Sequence, residues 1–156
     1  MTTAARVTNL SECAEILALI QAAFAYMDGR IDPPSSMLRL TEAEVRAQAT
    51  AGEIWRIQEA AAIVAAVVLT PRQDCLYLGK LSVRADKRGC GHARTLVETA
   101  MARARAHGLP AVELQTRIEL TENHATFRAL GFRETARTAH TGYDRPTSIT
   151  MRRDVE

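Results

Sequence analysis

Cysteine is scarce in this chain, and the little there is follows no pattern. Cys13, Cys75 and Cys90 are the three thiols among 156 residues. An odd number this small, with no Cys-x-x-Cys spacing, excludes a disulfide framework and carries no metal-ligand signature. A reduced, cytoplasmic protein without a metal is the expectation. Aromatic residues make up 4% of the chain and the formal net charge is only +2, which argues against a nucleic-acid surface built from basic residues and stacking rings. Long apolar runs are missing too. The longest, Ala60 to Leu69, falls well short of the roughly 18 residues that a membrane span needs. The opening Met-Thr-Thr-Ala-Ala-Arg has no apolar signal core, so neither a membrane anchor nor a targeting segment is expected.

What is present is the make-up of one globular domain over residues 1–156, with 47% hydrophobic and 24% charged residues. Apolar residues at helical spacing from Leu10 to Phe24 predict a first helix, Ser11 to about Met27, with Ser11 as N-cap. The Ile31-Asp32-Pro33-Pro34-Ser35-Ser36 segment cannot continue it, because adjacent prolines remove donors and force extended backbone. Thr41 and Glu44 fit a capping box that opens a second helix running to about Ala49. Strands are predicted over Glu53–Glu59, Ala61–Leu69 and Leu76–Val83; for the second of these, periodicity alone does not separate strand from helix, and its β-branched residues decide. A long helix follows from Gly91, with Leu96, Val97, Ala100, Met101 and Ala104 on its core face, and ends at Gly108 and Pro110. Then come a strand over Val112–Thr116, a short helix from Thr121 to Leu130-Gly131, and strands over Phe132–Thr138 and Ser148–Arg152. The order implies an α/β or α+β fold, a mixed sheet of about six to seven strands with about four helices.

The stretch from Leu81 to Leu96 runs from a strand through Gly89-Cys90-Gly91 into a helix. A Gly-x-Gly turn opening a helix can aim backbone N–H groups at a phosphate, with the helix dipole in support. It can equally be a turn with no ligand. A Walker loop is excluded by the absent Gly-Lys-Ser/Thr ending, and a dinucleotide fingerprint by Arg94 at the third glycine position and by the late place in the chain.

Arg88-Gly89-Cys90-Gly91-His92-Ala93 resembles Gln/Arg-x-x-Gly-x-Gly/Ala, the pyrophosphate loop of the GNAT superfamily of acyl-CoA N-acyltransferases. Thr121 to Phe132 resembles the second block of that superfamily, an Asn-x-x-Ala followed by an aromatic residue and Gly-Phe. The resemblance implies a GNAT-like fold and transfer of an acetyl group from acetyl-CoA to a primary amine on a small molecule, peptide or protein. It is compatible with a homodimer. It also implies that Gly89, Cys90, Gly91, His92 and Ala93 form the phosphate loop, with Lys87 and Arg88 as its cations and Arg84 and Arg94 at the rim. Leu81 and Val83 would offer their main chain to the pantetheine arm and the thioester carbonyl. Asn123 would hydrogen-bond the pantetheine arm or an ordered water.

Two positions depart from the pattern. Phe127 stands where many relatives carry a tyrosine that protonates the leaving thiolate, and Tyr143 is the substitute acid. Gln115 stands where ribosomal-protein N-terminal acetyltransferases carry a glutamate base. Glu113, two residues back on the same strand face, is the substitute base acting through a water, with Glu119 and His124 as rivals. Cys90 reads as a spacer. These departures motivate an alternative of another class, a non-catalytic acyl-CoA-binding regulatory module.

Overall fold

The computed structural model describes residues 3–156. Seven strands form one mixed sheet in the order β1-β2-β3-β4-β5-β7-β6, with β1 Ala5–Arg6, β2 Glu53–Glu59, β3 Ala62–Pro71, β4 Leu76–Val83, β5 Ala111–Arg117, β6 Arg133–Thr138 and β7 Ser148–Asp154. Four helices accompany it, α1 Cys13–Phe24, α2 Glu42–Ala51, α3 His92–Ala106 and α4 Thr121–Ala129.

Helix α1 is preceded by a 3-10 turn, Leu10–Glu12, and followed by another, Ala25–Met27. The expected cap at Ser11 is corrected here: the Asn9 side chain accepts from the Ser11 N–H at 3.0 Å and caps the leading turn instead. The capping box of α2 forms as expected, with Thr41 Oγ1 accepting from the Glu44 N–H and the Glu44 carboxylate accepting from the Thr41 N–H. All five residues expected on the core face of α3 are buried.

Strand β3 is the centre of the fold and is covered on both sides. Ile63, Ala66 and Val68 face the layer of α1 and α2. Val64, Ala65, Val67 and Leu69 face the α3 layer. Alternation breaks at Val64-Ala65, where the β2–β3 register shifts. A strand apolar on both faces, with a register fault, has no clean period-2 signal, which is why its sequence reads ambiguously. Leu10–Met27, apolar and long enough by composition to cross a membrane, buries Cys13, Ile16, Leu19, Ile20 and Ala23, the first four of them in the α1–α2 layer of the core.

Two irregularities of the sheet create the site. Strands β4 and β5 are parallel and register at only two positions, Leu76 with Val112 and Tyr77 with Glu113. Beyond them the strands part and the sheet opens. On the other side of β4, Gly79 pairs with Val68 and Ser82 with Ala66. Two steps on β3 thus match three on β4, a β-bulge that leaves Lys80 and Leu81 without register partners. Lys80 adopts φ 53° there, and Ser82 Oγ donates to its carbonyl at 3.0 Å.

Candidate active site

The gap between β4 and β5 is a cleft of about 990 Å³. Leu81 and Val83 line one wall, Leu114 to Arg117 the other, and the glycine loop with the start of α3 closes one end. Gly89 and Gly91 have φ of 78° and 85°, a left-handed backbone that glycine adopts without a Cβ penalty. A Cβ on either would meet nothing within 4 Å, so the loop is open on its outer side. Gly91 caps α3 without any side-chain hydrogen bond. The first N–H groups of a helix have no intrahelical partner, and those of α3 open on the cleft next to Arg88 and Arg94. A cradle of donors beside guanidinium groups fits a diphosphate.

Residues 15–132 match the model of the acetyltransferase (GNAT) family. The chain belongs to that family. No curated protein sequence matches it. The fold of this GNAT protein is shared with solved structures of low sequence identity. The ribosomal-protein-S18-alanine N-acetyltransferase from Escherichia coli is 17% identical, with a TM-score of 0.74 over 99% of this chain and 94% of that one. A GNAT-family acetyltransferase from Staphylococcus aureus is 14% identical, with a TM-score of 0.77 over the whole of both chains. An acetyltransferase from Streptococcus agalactiae is 17% identical, with a TM-score of 0.77 over 99% of this chain and 98% of that one.

The cleft of the GNAT domain gathers most of the expected donor-site residues: Leu81, Val83, Lys87, Arg88, Gly89, Gly91, His92, Ala93, Asn123 and Phe127 all line it. Cys90 does not line it; its exposed thiol lies 3.9 Å from the Arg88 carbonyl. Lys87 is less free than expected, because its Nζ lies 2.9 Å from a Glu59 carboxylate oxygen. The same carboxylate approaches His92 Nε2 at 2.8 Å, although the imidazole is not aligned for a hydrogen bond. Glu59 therefore braces both ends of the loop from the β2–β3 hairpin. Arg84 is turned outward onto Asp86 at 2.6 Å.

Both expected catalytic side chains lie outside the residues that line the cleft. Glu113 shares a strand face with Gln115, as alternation requires, but sits at the last step still in register with β4, and its carboxylate accepts from Arg152 at 3.0 Å. Tyr143 donates from its hydroxyl to Asp32 Oδ1 at 2.6 Å while Arg145 holds Asp32 Oδ2 at 2.8 Å. The Asp32 carboxylate holds the Tyr143 phenol above its ordinary pKa. Of the rivals, Glu119 accepts from the Asp32 N–H at 3.0 Å and His124 is buried with Nε2 2.9 Å from the Arg117 carbonyl.

Three cleft residues were not singled out from sequence. Tyr26 follows α1, and its hydroxyl accepts from Asn123 Nδ2 at 3.1 Å; the Arg30 and Arg88 guanidiniums stand 5.6 and 5.5 Å from its ring. His140 lines the cleft from the loop after β6. Its backbone N–H donates to Thr147 Oγ1 at 2.8 Å, its Nδ1 contacts the same oxygen, and that hydroxyl reaches the Thr138 carbonyl. With the one hydroxyl proton given to Thr138, Nδ1 is the protonated nitrogen and Nε2 keeps its lone pair. Burial, reinforced by Arg117 and opposed by Glu119, lowers the His140 pKa, so the ring is neutral at pH 7. The third residue, Lys80, is the bulge residue of β4. Its one sequence signal is the Gly79-Lys80 pair interrupting an otherwise uncharged strand. Among the described residues no group of three or more His, Cys, Asp and Glu is placed to hold a metal ion.

Proposed function

We propose that this chain transfers the acetyl group of acetyl-CoA to a primary amine by direct attack within the β4–β5 cleft, with donor and acceptor bound together. The observation that carries the reading is the joining, in one cavity, of the open α3 N-terminus and the stretch of β4 at Lys80 and Leu81 that has no register partner on β3 or β5. The first suits the diphosphate of coenzyme A. The second offers backbone hydrogen-bond groups to the pantetheine arm and to the oxygen that gains charge as the thioester carbonyl is attacked. Asn123 lines the same cleft and is assigned to the arm.

An amine attacks only after losing a proton; of the cleft groups, Glu122 is paired with Arg30 and His92 lies against Glu59, and the imidazole of His140 is assigned to receive it through Nε2. Tyr26 supplies the phenol that Phe127 lacks. A thiol with an ordinary pKa near 8.5 is a tolerable leaving group, so this proton adds rate without being indispensable. Phe127 instead packs edge-on against Phe132, with ring centroids 5.9 Å apart, as an apolar wall.

That wall and the amide of Gln115 favour one other reading, a regulatory module that binds acyl-CoA without turnover. Thiol release from acetyl-CoA across a broad panel of amines separates the two. The enzyme reading predicts release that depends on the amine and saturates in it. Tight acetyl-CoA binding with no release above the solvent rate for any amine would leave the regulatory reading.

A further inference from the structure

We propose that the acceptor is a small amine that also carries a carboxylate, and that Lys80 binds this carboxylate where the cleft meets a second cavity. The inference rests on the acyltransferase reading and names the class of acceptor.

Behind the bulge of β4 lies a cavity of about 390 Å³, bounded by Ser36, Met37, Arg39 and Leu40 before α2, by Glu44 and Gln48 of α2, and by Lys80. Ser36, Met37 and Lys80 line both this cavity and the main cleft, so the two spaces meet at the lysine. The bulge puts it there. In a regular β4 the residue would pair with β3; with φ 53° and no register partner it turns toward α2.

Three of the other cations around the cleft have partners. Lys87 holds Glu59 at 2.9 Å, Arg30 holds Glu122 at 2.7 Å, and Arg117 donates to the Pro33 and Pro34 carbonyls. Arg88 and Arg94 flank the phosphate loop. Lys80 has no carboxylate within 4.0 Å among the described residues. The acidic group acting on it from a distance is Glu44, whose Oε1 is committed to the α2 cap, accepting from the Thr41 N–H and Oγ1 at 3.0 Å each. Burial lowers the Lys80 pKa, which marks an ammonium held in a place that disfavours its charge. An anion arriving there gains a charge-assisted hydrogen bond and relieves that penalty.

A second group in the cavity is also unmet. Gln48 Oε1 is buried without a hydrogen-bond partner. Buried acceptors are normally satisfied, so this oxygen is available to an N–H or O–H of the same ligand. An ammonium, a second cation at Arg39 and a free acceptor at Gln48 together suit an amino-acid-like molecule. Its carboxylate would sit at the junction and its reacting amine would point back toward the thioester end.

The test uses matched pairs that differ only in this charge: L-alanine and L-alaninamide, β-alanine and β-alaninamide, 4-aminobutyrate and its amide, L-glutamate and L-glutamine. Their affinities are measured directly, by calorimetry or NMR, on the full chain saturated with coenzyme A and on Lys80→Gln, with melting temperature as the folding control. The expected result is at least one pair in which the acid binds about tenfold more tightly than the amide. That preference falls to within about twofold in Lys80→Gln and returns in Lys80→Arg. Equal affinity within every pair, including no measurable binding by any member, would overturn the proposal, as would a preference that survives Lys80→Gln. Because turnover is not required, the two readings fail separately. Absent thiol release with a Lys80-dependent preference removes the acyltransferase reading alone; release without any acid preference removes the carboxylate site alone.

Discussion

Asn123 Nδ2 donates to the Tyr26 hydroxyl at 3.1 Å, across 97 positions of sequence. One turn further along α4, Phe127 faces the same cleft with a ring that has no proton to give. In the proposed mechanism the phenol comes instead from Tyr26, in the 3-10 turn that follows α1, with its oxygen held by the asparagine.

Tyr26→Phe is therefore expected to slow thiol release by about tenfold to a hundredfold, the span of a modest general acid, while acetyl-CoA affinity stays within about twofold by calorimetry. Phe127→Tyr in the Tyr26→Phe background restores part of the rate. An unchanged rate in Tyr26→Phe would remove the phenol from the mechanism.

With His140 as the proposed base, its titration is expected to set the acid limb of the pH profile. Its pKa lies below the ordinary histidine value because of burial and Arg117, so activity holds through neutrality and falls only as pH drops below about 6.5, the unperturbed value. His140→Gln is expected to abolish that limb and lower kcat by about a hundredfold. A mutant keeping the wild-type limb would place the base elsewhere.

Glu53 is the electrostatic anchor of α3 to the sheet. It is 2% exposed; burial pushes its carboxyl up, but hydrogen bonds from Arg103, Trp55 and His107 outweigh this and hold it at about 2. A folded-state pKa below the unfolded value gives stability that is present above about pH 4.5 and lost as pH falls toward 2. Glu53→Gln is expected to cost about 3 kcal/mol at pH 7, since the charge-assisted hydrogen bonds that Arg103 and His107 make to the buried carboxylate are lost. The gap between mutant and wild type should close on acid titration, measured by urea unfolding at several pH values.

The β2–β3 hairpin turns through Ala60 and Ala61 at φ 50° and 68°, the left-handed pair of a two-residue turn that Asn-Gly fills best. An alanine in that region costs roughly 1 kcal/mol. Ala61→Gly is expected to raise the melting temperature by about 2–4 °C, with activity unchanged. A lower melting temperature would contradict the turn geometry.

Elements with local signals were legible in the sequence. The capping box of Thr41 and Glu44, the apolar face of α3, the bounds of β4 and the glycine loop each depend on neighbours within a turn or two. Strand β1 has two residues, too few for any pattern, and the Asn9 cap was displaced onto Ser11 because both residue types cap well. At the site, alternation placed Glu113 on the right face, yet it has no means of telling which step of β5 is still zipped to β4. Tyr26, Lys80 and His140 reach the cleft through a helix end, a bulge and a loop, and no periodicity reports such placements.

The central claim is that the Gly89–Ala93 loop holds the diphosphate of acetyl-CoA, and calorimetry of the wild type and of Gly91→Trp tests it most directly, with thermal melting as the folding control. Micromolar binding to the wild type, lost in a folded Gly91→Trp, is the predicted result. Equal affinity in the two proteins would contradict it.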